Sequence, residues 1–208
     1  MLSNFKSSKM IIRTDKDQYL VGKNFSKLHL LGGKRENNES SFQNLRREVL
    51  EESSYVIDLQ MINEKNFYFK IFDNIINLLL DKIVYDEYYK CFFFIFITND
   101  INDIIFQDMI KLMEINQYLI ITKLIHAINL ENIYIQAYYF LEKYMKTRKK
   151  TFLHYLINLY YKNNISWKNE YYNIIKHYSV FLEIETLYLA NLVDLKLSLR
   201  ENNIIPIL

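Results

Sequence analysis

Three glutamates, Glu48, Glu51 and Glu52, stand at i, i+3 and i+4 in a helix-favouring stretch. With about 3.6 residues per helical turn, that spacing places all three carboxylates on one face. Like charges at such spacings repel by about 0.2–0.5 kcal/mol per pair. No lysine follows four residues on to relieve them. Hard, oxygen-seeking cations such as Mg²⁺ or Mn²⁺ bind clustered carboxylates and answer that repulsion. The opposite face carries Phe42, Leu45 and Val49, spaced to pack on a core. The helix is therefore apolar towards the protein and acidic towards a site. Just upstream, Gly32 and Gly33 permit positive φ and a close backbone approach to phosphates.

Charge runs are ordinarily solvated faces, so the glutamates alone do not define a site. Their surroundings do more. The stretch Leu30 to Tyr55, LLGGKRENNESSFQNLRREVLEESSY, resembles the Nudix box, Gly-x5-Glu-x7-Arg-Glu-U-x-Glu-Glu-x-Gly-U, where U is apolar. Gly33, Glu39, Arg47, Glu48, Val49, Glu51 and Glu52 fill it in register. Ser54 and Tyr55 depart from it, standing where glycine and an aliphatic residue are usual. The fuller wording is most similar to the small poxvirus mRNA-decapping Nudix enzymes, which also lack that last glycine.

The resemblance implies an α/β fold, a Nudix-type α/β/α sandwich with a mixed sheet over residues 1–128, followed by a C-terminal α-helical extension over 129–208. It implies hydrolysis of a phosphoanhydride bond with Mg²⁺ or Mn²⁺ as cofactor. Glu48 and Glu51 are the implied catalytic residues, with Glu51 activating water, and Glu48 and Glu52 hold metal. Asp73 and Glu114 are implied as further metal ligands, Glu114 from a strand that includes Met-Glu-Ile. Gly33, Glu39 and Arg47 are the structural members of the box, the last two bracing loop to helix. The implied substrate is the 5′ cap of mRNA, released as methylated guanosine diphosphate. The alternatives are a small nucleoside-diphosphate substrate, such as ADP-ribose or a nucleotide sugar, and a non-catalytic Nudix binding module. One departure bears on RNA: the poxvirus relatives carry a long insertion where only a few residues separate Val21 from Leu30 here.

The surrounding sequence supplies elements able to position such a helix. Met10 to Ile12, Tyr19 to Val21 and Leu28 to Leu31 read as short strands. Ser40 with Gln43 forms a capping box for a helix from Ser41 to Ser53. A helix commonly ends on a left-handed residue, which falls here on Ser54. Tyr55 to Leu59 and Asn66 to Phe72 read as strands, with Asp73 in a following Asp-Asn turn or at the metals. Asn74 to Tyr89 fits a helix or a hairpin, and Tyr88 to Thr98 is the clearest strand, central to the sheet. Asp108 to Ile121 contains the expected strand, and His126 lies in a helix after it. Beyond Asn129, Glu131 to Thr147, Thr151 to Asn163 and Glu170 to Arg200 read as amphipathic helices. Lys146, Arg148, Lys149 and Lys150 fall between two of these, as helix-end charge or as a contact for RNA phosphates.

Composition bounds the rest. At 208 residues, half of them hydrophobic and 16 % aromatic, the chain can bury a sizeable core and is not a disordered one. Gly is 3 and Pro is 1, amid heavy use of Ile, Asn, Lys and Tyr. That bias suits an AT-rich genome, so the tyrosines carry little functional weight. The net charge of +2 does not announce a nucleic-acid binder. Cys91 is the single cysteine, which excludes an intrachain disulfide and fits a reducing compartment. The start has no apolar signal segment, and Cys91 to Ile97 is far shorter than the ~20 residues of a membrane helix. The expectation is a cytoplasmic protein (host cytoplasm if viral) with no membrane and no disulfide-linked partner.

Overall fold

The computed structural model describes residues 4–24, 27–36, 38–126, 139, 143 and 186–200. It is a mixed α/β structure. The strands are β1 (Ser7–Thr14), β2 (Tyr19–Asn24), β3 (Lys27–His29), β4 (Asp58–Met61), β5 (Asn66–Ile71), β6 (Asn74–Asp86), β7 (Cys91–Thr98) and β8 (Thr186–Ala190). The helices are α1 (Ser41–Glu52), α2 (Asp103–His126) and α3 (Leu192–Arg200). The eight strands form one sheet in the order β3-β2-β1-β7-β6-β5-β4, with β8 also paired to β2. Only β1 and β7 run parallel, in register from Ser7 opposite Cys91 to Thr14 opposite Thr98.

β7 is central, as its unbroken apolar run requires, because both of its faces are covered. Phe94 and Phe96 point into the larger core, beneath Leu45 and Val49 of α1 and Phe106, Met109 and Met113 of α2. Cys91 and Phe93 point the other way, into a smaller core with Ile11, Val21 and Leu28 that Leu195 and Leu199 of α3 close. The backbone N–H of Leu28 donates to Ser198 Oγ at 2.9 Å, which ties β3 to α3. β2 has β8 along one edge over Tyr19–Lys23, so β1 and β3 share its other edge. After β3, the chain runs back along β1: the N–H groups of Met10 and Ser8 donate to the carbonyls of Leu31 and Gly33. That return lays the glycine pair against β1.

Several expectations change here. Asn74–Asp86 is a strand, hairpinned to β5, although Ile75, Leu78, Leu79 and Ile83 have helical spacing. Of those four only Leu78 is buried, and it shares its side with Ile76, two residues away, as the period of a strand requires. The expected strand around Met113-Glu114-Ile115 is instead part of α2, where Met109 and Met113, four apart, share the buried side. Thr186–Ala190, expected within a helix, is β8. The free edge of β2 supplies ladder partners that the local sequence cannot announce.

The chain divides into two compact units, Met1–Glu114 with Glu183–Leu208, and Ile115–Leu182. The sequence division at residue 128 differs from both boundaries, and β8 and α3 belong to the first unit. In the second unit, Lys143 Nζ lies 5.5 Å from the ring centre of Tyr139. The helices expected over 151–163 and the basic run Lys146, Arg148, Lys149 and Lys150 lie outside the described residues. No helix among the described residues is long and apolar enough to cross a membrane. Cys91 is a buried free thiol.

Candidate functional site

α1 begins where its sequence says it should. Ser40 Oγ accepts from the Gln43 N–H at 3.2 Å, and Gln43 Oε1 accepts from the Ser40 N–H at 2.8 Å, a complete capping box. The helix ends in a tight left-handed turn: Ser54 has φ 60° and Tyr55 φ 62°. The Tyr55 N–H returns to the Leu50 carbonyl at 2.7 Å. L-residues adopt this conformation at a cost of roughly 1–2 kcal/mol each. The sequence placed one such residue here, and the structure has two.

Between these ends, one arginine gathers the carboxylates. Arg47 Nε and Nη2 donate to the two oxygens of Glu39 at 2.8 and 3.2 Å. Arg47 Nη2 also donates to the Lys34 carbonyl at 2.8 Å. Its Nη1 contacts Glu48 Oε1 at 2.8 Å and Glu51 Oε2 at 3.0 Å. Loop, helix and two of the helix glutamates are thus held by a single guanidinium. Burial alone would lower its pKa, but the bond to Glu39 and the charges of Glu48 and Glu51 outweigh burial and raise it. Burial would lift Glu39, yet the hydrogen bonds from Arg47 and from the Glu36 N–H hold its carboxyl below the usual range. Glu48 goes the other way: burial lifts it, and Arg47 and Lys9 only partly offset that.

The glycine pair is required by its neighbours. Gly32 has φ 115°, and a Cβ there would lie 2.3 Å from the Ser8 carbonyl oxygen. A Cβ on Gly33 would lie 2.2 Å from Glu48 Oε2, so its absence makes room for that carboxylate. The Gly32 N–H donates to Glu52 Oε2 at 2.7 Å, closing the turn onto the end of α1. Glu51 and Glu52 are both buried. Buried carboxylates are rare unless paired, and here Arg47 pairs with Glu51 and the Gly32 N–H with Glu52.

Three more residues stand around this face, and for Lys9 and Asn44 the sequence gives no signal. Lys9, on β1, donates to the Gly32 carbonyl at 3.3 Å, and its charge reaches Glu48. Asn44 Nδ2 donates to the Lys34 carbonyl at 2.9 Å and fixes the loop from the helix side. Burial and then the negative charge of Glu51 push the Tyr55 hydroxyl up to about 12.

The structure brings together Gly33, Glu39, Arg47, Glu48, Glu51 and Glu52. Asp73 is exposed in the turn between β5, which ends at Ile71, and β6, which begins at Asn74. Glu114 is exposed on α2, not on a strand. Among the described residues, no three His, Cys, Asp or Glu side chains converge as a ready metal-ligand group. The helix glutamates share a face, but each carboxylate is turned to a protein donor. Compared with protein-family models and with curated proteins, the chain matches none.

Proposed function

We propose that this chain is a divalent-metal-dependent hydrolase of the Nudix type, cleaving a phosphoanhydride bond in the 5′ cap of mRNA and releasing a methylated guanosine diphosphate. The observation that carries the reading is the fit of the Glu48 carboxylate into the space left by the missing Cβ of Gly33. Two residues fifteen apart depend on each other there, as a motif of fixed spacing demands. Apolar cores on both faces of the sheet support the α/β/α arrangement of that family.

The donor set suits a hard cation: three carboxylates stand on one helix, and two of them, Glu48 and Glu51, share a single arginine with Glu39. Mg²⁺ or Mn²⁺ bound there would neutralise phosphate charge and acidify an attached water. Glu48 and Glu52 are the residues to hold it, and Glu51 is the base that takes the proton from the attacking water. Arg47 binds Glu48 and Glu51 through one nitrogen, so the two carboxylates are oriented together. Glu52, through the Gly32 N–H, sets the loop that faces them.

The test is turnover of cap-labelled RNA and of ADP-ribose, side by side, with Mg²⁺ and with Mn²⁺. Release of methylated GDP from the RNA, lost in Glu51→Gln, is the expected result. Turnover of ADP-ribose alone would make the chain a pyrophosphatase of small nucleotides. Binding of either without turnover would make it a binding module and overturn the reading.

A further inference from the structure

We infer that the end of the sheet beside the candidate site, where β1 and β7 begin, is a landing surface for single-stranded RNA, formed by Lys6, Lys34 and Lys90 with Tyr88. These residues are far apart in sequence, and the backbone sets them side by side. The Lys6 N–H donates to the Lys90 carbonyl at 2.7 Å, and the Arg35 N–H donates to the Lys6 carbonyl at 2.8 Å. Lys34 is bridged to Ser7 in the same ladder. Chains paired in this way lie about 4.8 Å apart, so three ammonium groups are carried on adjacent segments. All three lysines are exposed, and among the described residues none of them is in an ion pair. Glu36 and Glu87 flank the row, while Asp86 accepts the Tyr89 N–H at 2.8 Å.

Two further features choose the partner. Tyr88 is 86 % exposed, its ring set edge-on to Tyr89 at 4.8 Å, beside Lys90. Unpaired cations next to an exposed aromatic are the pairing that binds single strands, cations to phosphates and the ring to a base. The row is also continuous with the site, because the Lys34 carbonyl accepts from Arg47 and Asn44, and Gly33 packs on Glu48. A strand whose 5′ end lies at the glutamates can continue across Lys34 and Lys6 to Lys90. The direction of that path rests on the function proposed above; the surface itself does not.

The experiment measures binding of a fluorescently labelled single-stranded RNA by anisotropy, in EDTA so that no hydrolysis contributes, across a salt series. The Lys6→Ala/Lys34→Ala/Lys90→Ala variant is expected to bind at least about tenfold more weakly, with the log–log salt slope reduced by about 2, near 0.7 per lost phosphate contact. Tyr88→Ala is expected to weaken binding without changing the slope, and Tyr88→Phe to restore it. Unchanged affinity and slope in a triple variant that melts like the parent would overturn the inference. If that variant melts early, an unaltered affinity in Tyr88→Ala would overturn it instead. Turnover of a small capped dinucleotide, assayed separately with Mg²⁺, tells failure of this surface from failure of the hydrolase reading.

Discussion

The acidic side of α1 and the β5–β6 hairpin both carry carboxylates that a sequence reading assigns to one site, and the structure treats them oppositely. Glu48, Glu51 and Glu52 are drawn inward by an arginine, a glycine without a Cβ and a backbone N–H. Asp73 stands exposed in a two-residue turn with Phe72 at φ 52°. A carboxylate held inside by fixed donors has already lost part of its hydration and is preorganised for a cation or a proton. One in a surface turn keeps its water and serves the turn. Burial and cross-linking, not acidity, separate the two regions.

The comparison breaks most severely at Gly32. Gly32→Ala is expected to cost about 3 kcal/mol, from a left-handed Cβ and its clash with the Ser8 carbonyl, and thermal melting will read it. A melting temperature close to the parent's would mean that the loop rearranges freely, and the interlock would lose its meaning. Next comes Glu51→Gln, expected to lower the hydrolytic rate by about 10²-fold, or about 2.7 kcal/mol, while the fold persists. A fully active variant would remove Glu51 from the chemistry. Glu52→Ala strips the acceptor from the buried Gly32 N–H, for an expected loss of about 2 kcal/mol in denaturant unfolding.

Acid sharpens the contrast within the site. The Glu39 carboxyl is held below its ordinary value, so its stabilisation is present above that value and is lost as pH falls through the folded one. The Glu48 carboxyl is raised, so its contribution is present below the ordinary value and is lost as pH rises through the folded one. Relative to the parent, Glu39→Gln should therefore be worse at neutral pH than in acid, and Glu48→Gln better at neutral pH than in acid. Melting temperatures at the two pH values that moved the same way in both variants would contradict this assignment. The smallest effect belongs to the hairpin. Asp73→Asn should change stability by less than about 0.5 kcal/mol and leave the rate at the parent's level. A rate loss like that of Glu51→Gln would return Asp73 to the site.

Much of the candidate site is local, which is why it is legible in sequence. The capping box, the i, i+3, i+4 carboxylates and the left-handed end of α1 involve residues within one or two helical turns. Their geometry follows from helix periodicity and steric limits that act at short range. Arg47 with Glu39 and Gly33 with Glu48 reach further, yet a motif of fixed spacing records them. β7 was readable because seven apolar residues in a row have no solvent face to offer.

Other features depended on partners supplied by distant chain. Thr186–Ala190 is a strand because β2 has an edge for it, and Met113-Glu114-Ile115 is helical because Met109 and Met113 face the core together. No periodicity in a short apolar run distinguishes these outcomes, since the deciding hydrogen bonds and packing surfaces lie elsewhere in the chain. Lys9 at Gly32, and Lys6 beside Lys90, likewise arise only when β1, the glycine loop and the β6–β7 turn are laid in register. Sequence by itself determined the acidic helix, its cap and its central strand, because those rest on short-range sterics and local hydrogen bonds. The tertiary structure alone decided which carboxylates are buried, which cations stand beside them and where the chain returns to the sheet, because burial and pairing belong to residues that meet only after folding.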